Sequence, residues 1–129
     1  MDEENRRIYV IAPKESRLFV YDIDKRDFHD LGQIPARSLT DHTNPVWDSI
    51  NKVLLWPQIA NRNGIVTLFA YDPTSKQWEK MPMNQPEGLR VIGPDAIFDP
   101  VQNALMVLGG TGQPFNQHLF LYRHGTGRR

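Results

Sequence analysis

The tetrapeptide Phe69-Ala70-Tyr71-Asp72 recurs on both sides of its own position with little change. Phe19-Val20-Tyr21-Asp22 precedes it and Phe120-Leu121-Tyr122-Arg123 follows it, so the tyrosines are 50 and 51 residues apart. An aromatic residue also stands seven positions after each of the first two tyrosines, as Phe28 and Trp78. A period near 50 residues is typical of a protein built from several copies of one supersecondary unit.

Each copy of the tetrapeptide belongs to a pair of short apolar runs. The runs are rich in aromatic and β-branched residues and are bounded by Gly, Pro, Asn or Asp, which predicts strands joined by turns. Apolar side chains occupy both faces of these runs, since Leu18 and Val20 alternate with Phe19 and Tyr21. Antiparallel strands that bury both faces need a sheet on each side, which favours radially stacked blades. The runs are 8–11 with 18–21, 53–56 with 66–71, and 104–108 with 119–122.

Recurring turns give each unit an order of four strands, a to d. A turn that starts at an aspartate precedes the first run of each pair, at Asp2, Asp48 and Asp99. Another follows the tyrosine of the first two copies, at Asp22 and Asp72. Aspartate favours such turns because its side chain accepts hydrogen bonds from backbone amides two residues on.

The pattern predicts an all-β fold of ten antiparallel strands in three units, with almost no helix. Residues 1–34 supply strands b, c and d, residues 35–83 supply all four strands, and residues 84–129 supply a, b and c. Complete β-propellers typically have 4–8 blades of four strands. We therefore expect residues 1–129 to form a single partial propeller domain, an incomplete ring, with a β-sandwich or irregular β domain as the alternative.

The three units resemble the kelch repeat of the galactose-oxidase-like β-propeller family. The kelch signature is a double glycine after strand b, then a tyrosine, then a tryptophan. Gly109-Gly110 precedes Tyr122 in this order, and Tyr71 precedes Trp78. The resemblance covers nearly the whole chain, from about Asp2 to Arg123, and implies kelch-like propeller blades.

No unit carries the whole kelch signature. Ala12-Pro13 and Gln58-Ile59 replace the double glycine in the first two units, and the third unit ends before its tryptophan. The F-box-associated β domain, which has similar Tyr-Asp-Pro turns, is a related alternative.

Candidate binding residues lie in the connections that share one end of an a-b-c-d blade. The b–c loops are predicted at 12–17, 57–65 and 109–118, and the d–a connections at 35–44 and 83–94. These connections differ between units, and variable loops on a regular scaffold commonly carry recognition. Their polar side chains suit a protein or polar ligand, and Trp56 beside Pro57 is added as an aromatic contact at a predicted strand end. The candidates are Arg37, His42, Trp56, Asn61, Arg62, Arg90 and His118.

Composition argues against several classes of function. The chain of 129 residues has 15 basic and 15 acidic side chains, so no net charge directs it to nucleic acid or to an anionic membrane. No apolar stretch approaches the roughly 20 residues of a membrane span, and the acidic start at residues 1–5 does not resemble a signal peptide. We expect a soluble chain without nucleic-acid or membrane partners, and its compartment stays unassigned.

The sequence offers no catalytic or cofactor signature. There are no cysteines, so thiolate nucleophiles and the cysteine–tyrosine cofactor of the family's copper oxidase are excluded. The four histidines show no tight metal-ligand spacing. The segment 109–112 is glycine-rich but lacks the lysine of a phosphate-binding loop. We expect no catalytic residue, no bound metal and no cofactor in this chain.

Three hypotheses of function remain. The first is a non-enzymatic kelch-type segment that binds a protein or polar ligand through its loops. The second is a fragment of a larger galactose-oxidase-like or carbohydrate-acting enzyme whose active residues lie outside this chain. The third is a protomer that completes its ring with a copy of itself, because exposed first and last blades leave uncovered edges.

Overall fold

The structure, a computed structural model, describes residues 1–35, 44–59, 64–85, 91–111 and 116–123, with side chains except at 92–94, 110–111 and 116–118. Within these ranges it is all-β, which confirms the predicted fold class. The strands are β1 (Arg7–Ala12), β2 (Arg17–Asp22), β3 (Asp27–Gln33), β4 (Val46–Asp48), β5 (Val53–Ile59), β6 (Val66–Asp72), β7 (Gln77–Met81), β8 (Ile92–Asp99), β9 (Ala104–Thr111) and β10 (Asn116–Tyr122).

Three antiparallel sheets follow one another along the chain. The first sheet has the order β1-β2-β3, the middle sheet β4-β5-β6-β7 and the last sheet β10-β9-β8. In the described part of the chain these strands correspond to b-c-d, a-b-c-d and a-b-c. The repeat in the sequence is therefore a repeat of meandering sheets.

The middle sheet is buried on both faces. One face packs against the first sheet, where Leu54 and Trp56 meet Tyr9, Leu18 and other buried side chains. The other face packs against the last sheet, where residues 55, 68 and 70 meet residues 105 and 107. Because successive side chains of a strand point to opposite faces, nearly every residue of β5 and β6 is apolar. The predicted stacking of blades is present at both junctions.

Several aromatic residues pack at the junction of the first and middle sheets. Trp47 stacks on Tyr9 across the junction with ring centroids 5.4 Å apart. Trp78 contacts Tyr71 at 5.1 Å and Trp56 at 5.8 Å. Aromatic pairs at these separations add to the stability gained by burying the rings.

Several strands are longer than the sequence predicts, so the connections are shorter. β5 continues through Pro57 to Ile59, and β9 continues through the double glycine to Thr111. Pro57 is tolerated because β4 pairs with β5 only as far as Leu55, so no strand on that side needs its missing amide hydrogen. The two glycines thus lie within strand b of the last sheet and not after it.

Gly109 allows two segments to approach closely. A Cβ atom at this position would lie 2.2 Å from Cγ1 of Val91, which is fully buried. Real carbon atoms do not approach so closely, so a larger residue would force Val91 or its backbone to move. The small residue at Gly109 thus lets the side chain of Val91 pack directly against β9.

We predict that Gly109→Ala lowers the free energy of unfolding by about 1–3 kcal/mol, as overpacking of a filled core does. Chemical denaturation of the variant measures the loss. Val91→Ala serves as the control, and the double variant should lose less than the sum of the two single losses, because the smaller side chain makes room for the new methyl group. Simple additivity would show that Val91 is not the obstacle.

Tyr71 carries a buried hydroxyl group without a hydrogen-bond partner among the described residues. Burial, with the nearby charge of Asp72 adding to it, raises the pKa of the phenol above its ordinary value. The group stays neutral, and burial removes its hydrogen bonds to water without a replacement among the described residues, which costs free energy.

Replacing Tyr71 by Phe should therefore leave the free energy of unfolding unchanged or raise it by up to about 1 kcal/mol. Tyr71→Ala should lower it by about 3–5 kcal/mol, because it empties the same site. Tyr9→Phe is the matched control, since the Tyr9 hydroxyl interacts with Arg7, and it should be destabilising. Thermal unfolding of the three variants would contradict this account if Tyr71→Phe were the less stable of the two Phe variants.

Candidate functional site

The predicted loop residues belong to connections that leave the sheets at one end. In antiparallel sheets of this order, b–c loops and d–a connections emerge at the same end. Arg37, His42, Asn61, Arg62 and Arg90 lie outside the described residues. His118 lies in β10, where its backbone is opposite Gly109.

A network of hydrogen bonds joins described residues at the ends of two of these connections. The amide of Val91 donates to the carbonyl of Gly64 at 2.9 Å. Gln85 donates from Nε2 to the same carbonyl at 2.9 Å, and its Oε1 accepts from the amide of Val66 at 2.8 Å. Gly64 adopts φ of 72°, which favours glycine there. The end of the b–c loop at Gly64 is thus hydrogen-bonded to Gln85 and Val91, which lie on either side of residues 86–90 in the sequence.

Two predicted binding residues are close to this network along the chain. Arg62 precedes Gly64 by two positions, and Arg90 directly precedes Val91. The hydrogen bond between Gly64 and Val91 therefore brings the ends of their two segments together. The sequence alone did not reveal this pairing, because it joins residues of different units.

Trp56 does not have the position that the sequence predicts. It lies in the middle of β5, paired with Phe69, and not at a strand end. Its side chain is 1% exposed and lies against Phe69 and Trp78 in the core. The expected strand end is wrong because β5 continues past Pro57. The indole ring of Trp56 is buried and therefore offers no face to a ligand.

The opposite end of the sheets is closed by five turns of one kind. In each, an aspartate begins the turn and the residue four positions later has positive φ. The aspartate side chain accepts backbone amide hydrogens within the turn, as in Asp48 with the amides of Ile50 and Asn51 at 3.0 and 2.8 Å. The pairs are Asp2 with Arg6, Asp22 with Arg26, Asp48 with Lys52, Asp72 with Lys76, and Asp99 with Asn103.

These hydrogen bonds lower the pKa of two turn aspartates. The backbone amide of Lys25 holds the pKa of Asp22 below its ordinary value, with the charge of Lys25 adding to the effect. The amide of Thr74 does the same for Asp72, helped by the hydroxyl of Ser75. Both carboxyl groups are favoured in the charged form because a carboxylate accepts these amide hydrogen bonds more strongly than the protonated group does.

Polar contacts connect the turns of neighbouring units. Asn51 donates from Nδ2 to Oδ1 of Asn103 at 3.3 Å, which links the middle and last sheets. Lys52 forms an ion pair with Glu4, which links the middle and first sheets, and this hydrogen bond raises the pKa of Lys52. The turn end is therefore a connected rim across the three units.

A cleft of about 450 Å³ opens beside this rim, where the a–b turns of the three units converge. One wall is the segment 1–4, whose Asp2 is held by Asn5. Trp47 and Phe98 from the two a strands form the apolar part. The remaining lining residues are Ser49, Lys52 and Pro100.

The cleft combines aromatic rings with more carboxylates than ammonium groups. Asp2, Glu3 and Glu4 face a single lysine, Lys52, among its lining residues. Aromatic faces beside carboxylates suit a cationic or polar group. The cleft was not predicted from the sequence. The repeated aspartate turns that line it were visible there, but they were interpreted only as structural turns.

The described ranges contain neither a metal-binding cluster nor a membrane-spanning helix. Among the described residues, no group of three or more His, Asp or Glu side chains could hold a metal ion. In that part of the chain there is also no helix of sufficient length and apolarity to cross a membrane.

Comparison with known proteins supports the architecture. No family model matches the chain, and no curated protein matches it. Among solved structures, it is similar to TolB from Acinetobacter baumannii, a β-propeller protein. The TM-score is 0.55 at 14% sequence identity, over 95% of this chain and 31% of that chain. At this identity the likeness shows the fold alone: the chain has the architecture of part of a β-propeller and spans about a third of TolB.

We predict that the stability of the chain falls in acid through the turn aspartates. Because the folded-state pKa of Asp22 and Asp72 is lowered, their contribution is fully present above the ordinary aspartate value of 3.8 and is lost as pH falls through the lower folded value. Denaturation measured across this range should show a weaker pH dependence in the double variant D22N/D72N. The variant E15Q, which alters a carboxylate outside these turns, should retain the full dependence.

Proposed function

We propose that this chain is a non-enzymatic, kelch-type β-propeller segment that binds a protein or a polar ligand through the loop end of its sheets. The single observation that carries the proposal is the hydrogen bond between Val91 and Gly64 at 2.9 Å. It holds the ends of two polar connections together, one with Asn61 and Arg62 and the other with Arg90. Anchoring the ends of two binding segments next to each other favours recognition, since it lowers the entropy lost on binding.

The contrast between the two ends of the sheets supports this assignment. The turn end uses the same aspartate turn five times and connects its units by polar contacts. The loop end receives connections of different length and composition. A constant end with a variable end is the usual division between scaffold and recognition surface in repeat proteins.

Two observations support the kelch type in particular. Gly109 lies within strand b and not after it, but a Cβ atom there would clash with Val91, so the position favours a small residue as the motif does. Tyr71 and Trp78, the tyrosine and tryptophan of the motif, contact each other with ring centroids 5.1 Å apart. In this proposal the kelch-like residues act through packing contacts inside the blades.

The second candidate is that this chain is a fragment of a larger galactose-oxidase-like or carbohydrate-acting enzyme whose active residues lie outside it. The observation in its favour is that the chain covers only 31% of the TolB structure to which it is similar, so its three sheets can be read as part of a ring. In that case the loops described above would contribute to substrate binding and not to the reaction itself.

Binding should fail in loop variants that remain folded. Peptides selected from a random display library, and a glycan panel, provide probes for the two ligand classes. We expect Arg62→Ala and Arg90→Ala each to weaken binding of the selected probe by about tenfold or more, as loss of an arginine contact commonly does. Thermal unfolding of both variants should match that of the parent chain.

Lys25→Ala is the matched control, because Lys25 is an exposed cation at the turn end. It should leave binding unchanged. Equal loss in Lys25→Ala and the two loop variants would contradict a site at the loop end, and selection of glycans with hydrolysis of the bound sugar would favour the enzyme.

A further inference from the structure

The first sheet exposes a continuous apolar face on the side turned away from the middle sheet. We call it the first outer face. Ile8 and Val10 of β1 lie opposite Tyr21 and Phe19 of β2, and Tyr21 lies opposite Phe28 of β3. Tyr21 and Phe28 contact each other with ring centroids 4.8 Å apart. Phe28 is 60% exposed, which is unusual for a large apolar side chain within a sheet.

The last sheet has a corresponding last outer face. Leu119 of β10 lies opposite Leu108 of β9, and Leu121 lies opposite Met106, which also pairs with Ile97 of β8. Leu119 is 59% exposed and Leu121 is 62% exposed. The two ends of the stack thus both present leucine, isoleucine or aromatic side chains to solvent.

The repeat shows what ordinarily covers the first outer face. The turns ending at Arg6, Lys52 and Asn103 are equivalent, so Ile8 corresponds to Leu54 and to Leu105. Ile8 is 38% exposed, whereas Leu54 is 2% exposed and Leu105 is fully buried. In the middle and last sheets this position is covered by the preceding sheet. The first outer face is therefore built like a face that receives a preceding blade.

The last outer face is the opposite half of the same junction. The tyrosines at 21, 71 and 122 align the c strands, so Leu119 corresponds to Leu18 and Leu68. Both of these are fully buried, because the following sheet lies on them. The last outer face is therefore built like a face that receives a following blade.

The last outer face has the form of one half of a sheet junction, and the first outer face has the form of the other half. A second copy of the chain supplies both halves. Placed against the first outer face of another copy, the last outer face would repeat the junction that occurs twice within the chain. The charged residues at the edge of the first outer face, Arg17 and Asp30, already pair with each other at 2.6 Å. They would not leave an unpaired charge against an apolar partner.

Ring closure sets the number of copies. The described residues of one copy form three sheets, so two copies supply six and three copies supply nine, whereas propellers typically have 4–8 blades. Two copies related by a twofold axis would use both outer faces of each chain and leave none uncovered. We infer that two copies of this chain associate head to tail, with the last outer face of each on the first outer face of the other, to close a six-bladed ring.

The mass in solution tests this inference without reference to ligand binding, since the outer faces lie on the sides of the sheets and not at their ends. Light scattering over a wide range of concentration should give about 30 kDa, twice the 14.9 kDa of one chain. A mass that stays at 14.9 kDa, or one that keeps growing with concentration, would overturn the closed dimer.

Single substitutions test the two faces separately. Val10→Asp on the first outer face and Leu121→Asp on the last outer face should each shift the mass toward that of one chain, because each places a carboxylate in an apolar junction. The control is Val101→Asp, at a turn position that is 86% exposed and outside both faces, and it should keep the parent mass. Circular dichroism confirms that each variant is folded.

A mixture of the two face variants distinguishes head-to-tail from face-to-face pairing. Val10→Asp retains an intact last outer face and Leu121→Asp an intact first outer face, so the mixture should regain dimers joined through one junction. If the dimer used the first outer face of both copies, Leu121→Asp alone would remain a full dimer, and the inference would be wrong.

Discussion

The whole structure depends on the burial of the middle sheet between two others. Leu54 and Trp56 face the first sheet while Leu55 and Leu68 face the last, and all four are at most 2% exposed. Burial of a leucine side chain contributes roughly 1.5–3 kcal/mol. Because both sides of each strand contribute, the sheet cannot exist as a layer with one wet face, and its neighbours are required for its stability.

Features set by local chemistry were the ones that the sequence predicted well. The aspartate turns are closed by hydrogen bonds between residues that are two or three positions apart, so their positions follow from the local sequence alone. The apolar runs with residues 18–21 and 66–71 likewise fall within β2 and β6. The period of about 50 residues then fixed the number of sheets, since each copy of the motif marks one strand c.

Features set by neighbouring elements were missed. Pro57 suggested that strand b of the middle sheet ends before it. The strand continues because β4 is short and does not pair with Pro57, so the amide hydrogen that proline lacks is not needed. That error placed Trp56 at a strand end, although it lies in the core. The junction between Gly64 and Val91 and the cleft beside Trp47 and Phe98 also escaped prediction, because each brings together segments from different units. For the candidate site, the sequence thus indicated which connections are polar, and the fold indicated which of them adjoin.

The position of the middle sheet also has a consequence for motion. Its backbone amides are hydrogen-bonded beneath two layers of apolar side chains, whereas β3 is largely exposed at the edge of the first sheet. Exchange of amide protons with solvent should then occur in β3 through local fraying, but in β5 and β6 only when the entire stack opens. The centre of the chain would act as the slowest cooperative unit, and the outer sheets would open before it.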